Sequence, residues 1–333
     1  MRAVVITRTG PPEVLEVQER PDPQPGRAEV LIDVKAAGIN FADTMARVGL
    51  YPDAPKLPAV VGYEVAGTIA ALGDGVDGGL AVGQRVVAPT RFGGYAEKAV
   101  ARGDGVVPLP DALSFEEGAA IPITYATAWE ALIKQGHLES GERVLIHAAA
   151  GGVGIAATQI AKRTGAEVWG TASPGKHEAI RGFGVDHPID YTRRGWEKQV
   201  PKLDLVMDAI GGASFRRSYK LLRASGRLVC FGASGVMSGD SRNLVVAART
   251  ALRMPRFNLI KQMSDSKSVI GLNVLSIWDE FQSAARWTPA LRELLSDGTI
   301  KPVVAQAFPF DRAADAHRLI SERRNVGKVV LVP

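Results

Sequence analysis

One cysteine, Cys230, is the whole thiol complement of this 333-residue chain, which excludes an intrachain disulfide and any zinc cluster built on cysteines. An apolar run of about 18 residues, the length a bilayer-spanning helix needs, is also missing. The opening Met1-Arg2-Ala3-Val4-Val5-Ile6 meets Thr7 and Arg8 too soon for the apolar core of a secretory signal, so a cytoplasmic protein is expected. Neither sign of charge dominates. With 40 Lys and Arg against 35 Asp and Glu, the net +5 does not imply nucleic acid, and attraction for a phosphorylated cofactor accounts for it. There are no internal repeats and no low-complexity segment. What remains is a globular composition, 46% hydrophobic and 23% charged, in a chain too long for one core and suited to two domains.

The most informative stretch runs from Arg143 to Arg163. A short apolar run, Val144-Leu145-Ile146, with β-branched Val and Ile, enters a glycine-rich turn and leaves as the helical Ile155-Ala156-Ala157-Thr158-Gln159-Ile160-Ala161. In that context glycines let a backbone approach a pyrophosphate, and the first turn of the helix offers unpaired N–H groups and the positive end of its dipole. The turn reads Ala149-x-Gly151-x-x-Gly154, with alanine at the first glycine of G-x-G-x-x-G. Ala149, Gly151, Gly152, Val153 and Gly154 are the candidate pyrophosphate cradle; the competing reading is a turn used only for packing.

Residues 1–122 read as short strands cut by Gly and Pro: Val4–Ile6, Val14–Glu19, Glu29–Ala37, Gly67–Ala71, Arg85–Ala88, Tyr95–Val100 and Val106–Leu109. Ser114-Phe115-Glu116-Glu117 has the capping-box form and predicts a helix start at the boundary. From 123 to 274 strands alternate with helices. The strands are Val144–Ala148, Glu167–Thr171, His187–Tyr191, Leu203–Asp208, Arg227–Phe231 and Ser268–Leu272; the helices include Val153–Arg163, Lys176–Arg181, Phe215–Leu222 and a long basic stretch over 243–263. Such alternation predicts a doubly wound parallel sheet of six strands. Residues 275–333, with helices around Pro289–Leu295 and Ala313–Ser321 and the strand Lys328–Val332, are too few for a domain. They are expected to return to the N-terminal β-rich domain, making the nucleotide domain an insertion.

NAD-binding sheets place an acid at the end of the second strand, about 20 residues past the glycines, for the ribose 2′-OH. Here Glu167–Thr171 is followed by Ala172-Ser173-Pro174-Gly175-Lys176-His177, with no acid. Without a carboxylate to repel it, a 2′-phosphate is favoured, and a lysine attracts it. Ser173, Lys176 and, from the next strand, Tyr191 are the candidates, and NADPH is the cofactor expected; a solvated surface lysine is the other reading of Lys176. Gly232, Ala233 and Ser234 follow the fifth strand at its carboxyl end, where such sheets hold their ligand.

The two-domain layout resembles the medium-chain dehydrogenase/reductase superfamily, which implies an α/β fold: a GroES-like β-rich catalytic domain with an inserted Rossmann domain. Its zinc alcohol dehydrogenases carry a catalytic cysteine and histidine. The corresponding positions resemble Asn40, in Gly38-Ile39-Asn40-Phe41-Ala42-Asp43, and Tyr63, in Gly62-Tyr63-Glu64. Neither supplies a tetrahedral zinc site, so no metal is expected. The five histidines, His137, His147, His177, His187 and His317, are scattered and read as solvated or loop residues. The segments Ile39–Asp43, Gly49-Leu50-Tyr51, Ala148–Gly154 and Gly327-Lys328-Val329-Val330 resemble the zinc-free quinone oxidoreductases. Asn40–Arg47, Gly170–Ala179, His187–Tyr191 and Asn325–Lys328 resemble, more narrowly, the synaptic-vesicle membrane protein (vesicle amine transport protein) group.

That resemblance implies an NADPH-dependent enzyme delivering hydride to quinones or other α,β-unsaturated carbonyls. Asn40 falls on the family's active-site asparagine, able to donate to substrate or cofactor, and Asp43 on a neighbouring aspartate expected to orient Asn40 or a water. Both are equally suited to capping a turn at a strand end. Tyr51 matches a tyrosine that can face the substrate, or is packing beside Pro52. Thr127 matches a threonine near the nicotinamide, or bonds its own helix backbone. Asn325 resembles a residue that reaches the cofactor, and Cys230 reads as a small buried apolar side chain. The stretch with Arg242, Arg249, Arg253, Arg256, Lys261 and Lys267 among apolar residues predicts a lid or wall over the substrate, with contact to an anionic membrane as the second possibility. Pro255 is expected to bend or end that helix. Ser268–Leu272, read as a sheet edge, predicts a homodimer. Two other functions stay open: an enoyl-thioester reductase, and a nucleotide-binding protein acting through lipid or protein association.

Overall fold

The computed structural model describes residues 1–76, 79–237, 239 and 244–333. Met1–Ala126 and Leu275–Pro333 gather into one compact unit, and residues 127–237 with 244–274 into a second; the first changeover falls inside the helix Pro122–Trp129.

The first unit is built on a seven-stranded sheet. Val304–Pro309, Lys328–Val332, Glu29–Ile39, Glu64–Leu72, Arg85–Pro89 and Val107–Pro108 lie side by side in that order, and Lys98–Arg102 pairs separately with Glu29–Ile39. A three-stranded sheet of Leu15–Glu19, Arg2–Ile6 and Ala59–Val60 adds to it. Alternating apolar positions such as Val30, Ile32, Val34, Val65, Ile69, Val86 and Ala88 are buried in one core with Phe308, Phe310, Val329 and Leu331. The C-terminal strand does return to the N-terminal sheet. It runs antiparallel to Glu29–Ile39, with Val329 opposite Ile39 and Val330 opposite Gly38, so Lys328 arrives beside Asn40.

The second unit is the doubly wound sheet. His187–Asp190, Glu167–Ala172, Arg143–Ile146, Leu203–Asp208, Leu222–Cys230 and Ser268–Gly271 are neighbours in that order, every pair parallel. The strand order reverses between Arg143–Ile146 and Leu203–Asp208, the place where such sheets take ligands. The chain is thus a β-rich domain into which a six-stranded, doubly wound parallel sheet is inserted.

Several local expectations are corrected. The strand placed at Tyr95–Val100 starts at Lys98; Tyr95 is instead fully buried, its N–H on the Val61 carbonyl at 3.0 Å. The long basic helix is two helices, Leu244–Leu252 and Leu259–Asp265, and Pro255 lies between them, lacking the N–H that a helix interior requires. Arg242 and Asn243 fall outside the described residues. The capping box at Ser114 forms, Ser114 N–H on Glu117 Oε2 at 2.8 Å, but opens only the short Phe115–Gly118. The helices Pro122–Trp129 and Val274–Phe281 carry no cap signal that sequence reading used. Two of the five histidines are not solvated. His317 is fully buried on the inner face of Ala313–Ser321, and His147 is buried after the first parallel strand.

Candidate active site

The strand Glu29–Ile39 ends at Asn40, which opens the helix Phe41–Arg47. Asn40 N–H donates to Asp43 Oδ2 at 2.7 Å, so Asp43 caps this helix from within its own first turn. Asp43 is fully buried and also accepts from Tyr95 Oη at 2.9 Å and from Gly62 N–H at 3.2 Å. Burial pushes its carboxyl up to about 7, while these donors and the Lys328 charge pull the other way. Its geometry is that of a brace for the Asn40 backbone.

The Asn40 side chain does something else. Its Nδ2 donates to Glu64 Oε1 at 3.0 Å and its Oδ1 accepts from Lys328 Nζ at 2.7 Å. A carboxylate on one side and an ammonium on the other allow only this orientation of the amide. Lys328 also meets Glu64 Oε1 at 2.5 Å, and Glu64 Oε2 accepts from Ile123 N–H at 2.8 Å. Glu64 is fully buried and Lys328 nearly so. Gly38 makes room for this: a Cβ there would stand 2.7 Å from Glu64 Cγ and 2.3 Å from the Ala119 carbonyl oxygen. Among the described residues, one donor hydrogen of the Asn40 amide remains for another acceptor.

Tyr51 stands edge-on to Tyr63, ring centroids 6.4 Å apart, and Phe92 lies 5.3 Å from Tyr63. Burial pushes the Tyr51 phenol up to about 12, which keeps it a hydrogen-bond donor. Arg91 lies over Phe92 at 4.5 Å and is held by both carboxylate oxygens of Asp279 at 2.8 and 3.0 Å. Asn325 donates to the Gly327 carbonyl at 2.8 Å, anchoring the turn that delivers Lys328. Glu64, Lys328 and Tyr95 were not singled out from sequence. The usable signal was a charge at each of two strand starts, Glu64-Val-Ala and Lys328-Val-Val-Leu-Val, directly ahead of apolar residues.

In the second unit the glycine-rich turn forms as its spacing predicts. Gly151 caps the helix Gly152–Thr164, Ile155 N–H bonds back to the Gly151 carbonyl at 2.9 Å, and Gly165 closes the helix in the left-handed region at φ 86°. The N–H groups of Gly152, Val153 and Gly154 precede the first intrahelical bond and are available to an anion. A Cβ on Gly154 would sit 2.4 Å from the Ala148 carbonyl oxygen, so only glycine lets the helix pack this closely on the turn. A Cβ on Gly151 would meet only the Ala148 carbonyl oxygen, at 3.4 Å. Ala149 is buried, its N–H on the Thr171 carbonyl at 3.0 Å.

Ala172 registers opposite Asp190, so Ser173 and Tyr191 leave adjacent strands together, with Lys176 one short turn on. Lys176 is half-buried, which pushes its ammonium below the usual lysine range, and Tyr191 is exposed. Asp190 does not supply the acid missing from Glu167–Ala172, because it is occupied by Thr192 N–H and Oγ1 at 2.9 and 2.6 Å and by Arg193 at 3.2 Å. Gly232, Ala233 and Ser234 follow the fifth strand, with Ser234 N–H on the Ala209 carbonyl at 2.9 Å. Thr127 is buried on Pro122–Trp129. These residues fit a phosphorylated dinucleotide: a glycine cradle, open amides and a lysine where an acid would exclude a 2′-phosphate.

Comparison with known proteins gives a consistent picture. Residues 26–111 match the alcohol dehydrogenase GroES-like domain, and residues 183–331 match a family described as zinc-binding dehydrogenase. The donor set at Asn40 and Tyr63 does not fit zinc, and among the described residues no group of three or more His, Cys, Asp or Glu is placed to hold a metal ion. The human synaptic vesicle membrane protein VAT-1 homolog is 37% identical over 341 residues, covering 100% of this chain and 86% of that protein. A mycobacterial protein, Rv1454c, solved in complex with NADPH, superposes with a TM-score of 0.85 at 31% identity over 100% of both chains. A quinone oxidoreductase of Pseudomonas syringae gives a TM-score of 0.81 at 32% identity, covering 100% of this chain and 99% of its own.

Proposed function

Because this chain belongs to the medium-chain dehydrogenase/reductase superfamily of oxidoreductases, in its zinc-free quinone oxidoreductase branch, we propose that it is an NADPH-dependent reductase of quinones and other α,β-unsaturated carbonyls. The observation that carries this reading is the Asn40 amide clamped between Glu64 and Lys328 where the zinc enzymes place a metal ligand. When bound, the reduced nicotinamide supplies the hydride, and the protein's task is orientation, exclusion of water and stabilisation of charge on the acceptor oxygen. Asn40 directs its remaining N–H toward that oxygen, fixed by its two partners, so little reorganisation accompanies the reaction. Asp43 holds the backbone of Asn40 and takes no part in proton transfer. Tyr51 offers its phenol as a second donor, and the rings of Tyr51, Tyr63 and Phe92 suit a flat conjugated acceptor. Gly151–Gly154 hold the pyrophosphate, and Ser173, Lys176 and Tyr191 the 2′-phosphate.

We further propose a homodimer. Among the described residues, Ser268–Gly271 is the last strand on one side of the parallel sheet. Leu259, Ile260 and Met263, just before it, are 74%, 75% and 77% exposed, an apolar face a second copy would cover. No helix among the described residues is long and apolar enough to cross a membrane.

A turnover panel of quinones, simple enones and enoyl thioesters with NADPH tests the function. Oxidation of NADPH by the first two is expected, with Asn40→Ala lowering kcat by about 10²-fold, the usual cost of one lost oxyanion donor. Turnover of enoyl thioesters alone would reassign the substrate class. No oxidation with any acceptor would leave a nucleotide-binding protein without this activity.

A further inference from the structure

Behind the glycine-rich turn, four side chains from separate elements form one buried chain of hydrogen bonds. Asp208, at the end of the strand Leu203–Asp208, is fully buried and accepts from Ser218 Oγ at 2.7 Å and Ser214 Oγ at 2.8 Å on Oδ2, and from Ile210 N–H at 2.8 Å on Oδ1. Ser218 Oγ is 3.1 Å from His147 Nε2, His147 Nδ1 is 3.1 Å from Thr171 Oγ1, and Thr171 Oγ1 accepts from Ala148 N–H at 3.2 Å. Trp196 covers the imidazole edge-on at 5.7 Å.

The protons in this chain can be placed one at a time. Two oxygens 2.7 Å apart, one of them a carboxylate, need a proton between them, and Ser218 has the only one. Its Oγ therefore accepts from His147, so Nε2 carries the ring proton and Nδ1 is bare. Thr171 already accepts from Ala148 N–H and gives its own proton to Nδ1. Every polar atom is then satisfied with a neutral imidazole, and the opposite tautomer would leave the Thr171 proton without an acceptor. Burial favours the same neutral ring by pushing the His147 imidazolium down.

What the chain holds is Ala148. This residue stands in the left-handed region at φ 54°, a conformation that costs a non-glycine residue about 1 kcal/mol. Its carbonyl accepts from Gly151 N–H at 3.0 Å and is the atom that forbids a Cβ on Gly154. We propose that His147, as its Nε2–H tautomer, is a positioning residue for dinucleotide binding: through Thr171 it fixes the strained Ala148 hinge from which the pyrophosphate cradle is hung. The proposal rests on the nicotinamide-binding reading above.

Selective ¹⁵N-histidine NMR of the full chain is the first test: His147 is expected to show a pH-stable Nε2–H pattern, and an Nδ1–H pattern would overturn the proton placement. The second is NADPH titration of Thr171 variants well below their unfolding temperatures. Thr171→Val removes the hydroxyl at constant shape and is expected to weaken binding roughly tenfold, the scale of one lost buried hydrogen bond, while Thr171→Ser restores it. His147→Phe should weaken binding similarly, and adding Thr171→Val to it should cost little more, since both break one chain. A merely structural role would lower thermal stability in all three without separating Val from Ser in affinity. If the wild type binds neither NADPH nor NADH, the functional reading fails; if it binds and the variants match it, this inference alone fails.

Discussion

Lys328→Met is expected to cost about 3–5 kcal/mol of stability, far more than an ordinary surface substitution, because it strands the Glu64 carboxylate in a dry interior. Glu64 is fully buried, Lys328 is 4% exposed, and their 2.5 Å contact is shared with Asn40. Desolvating two charges is offset only while both are present with their hydrogen bonds made, so removing either exposes the whole penalty. The double variant Glu64→Leu/Lys328→Met should therefore recover much of what the single variant loses, yet lack activity because the Asn40 amide is no longer oriented. Urea unfolding of the two single variants and the double variant checks this. Single variants within about 1 kcal/mol of the wild type would show the pair to be solvated and the clamp on Asn40 loose.

The second large effect is acid sensitivity from His317. The ring is fully buried, neither nitrogen has a hydrogen-bond partner among the described residues, and Tyr95 packs against it edge-on at 6.0 Å. Burial, with the Arg47 charge adding to it, pushes the imidazole down to about 3. In the unfolded chain the same ring takes a proton near pH 6.5. Between those values the unfolded state binds the extra proton, so stability is complete above about 6.5 and falls on acidification by about 1.4 kcal/mol per pH unit. By pH 4 the loss is about 3 kcal/mol. His317→Phe keeps a ring in the site and cannot titrate; its unfolding free energy should fall less steeply from pH 6.5 to 4 than that of the wild type. Parallel slopes would mean the native imidazole is hydrated and titrates normally.

Periodicity and spacing carried most of the second domain, because a parallel sheet buried on both faces announces itself as apolar runs separated by helix-length gaps. The glycine-rich turn and its helix were legible because Gly154 makes a close backbone contact that a Cβ would block and Gly165 ends the helix in the left-handed region that favours glycine. The first domain was readable strand by strand but not in its pairing, since nothing local says that Lys328 will lie beside Asn40, 288 residues away along the chain. Asn40 and Asp43 were found through resemblance; both belong to the capping box that opens Phe41–Arg47, and the Asn40 amide is held in addition by Glu64 and Lys328, which no local pattern announced. The buried histidines were misread because a histidine in a helix or after a strand has no composition signature of burial. Only the surroundings, Thr171 and Ser218 for His147 or Tyr95 for His317, distinguish it from a solvated one.

The central claim is that the cleared acid position and Lys176 select a 2′-phosphorylated nicotinamide. Isothermal titration of NADPH and NADH against the wild type and Lys176→Ala measures it directly. The expected result is NADPH bound at least tenfold tighter than NADH, with Lys176→Ala weakening NADPH, leaving NADH unchanged and so narrowing the gap. NADH bound as tightly as NADPH, or a Lys176→Ala variant that weakens both alike, would contradict it.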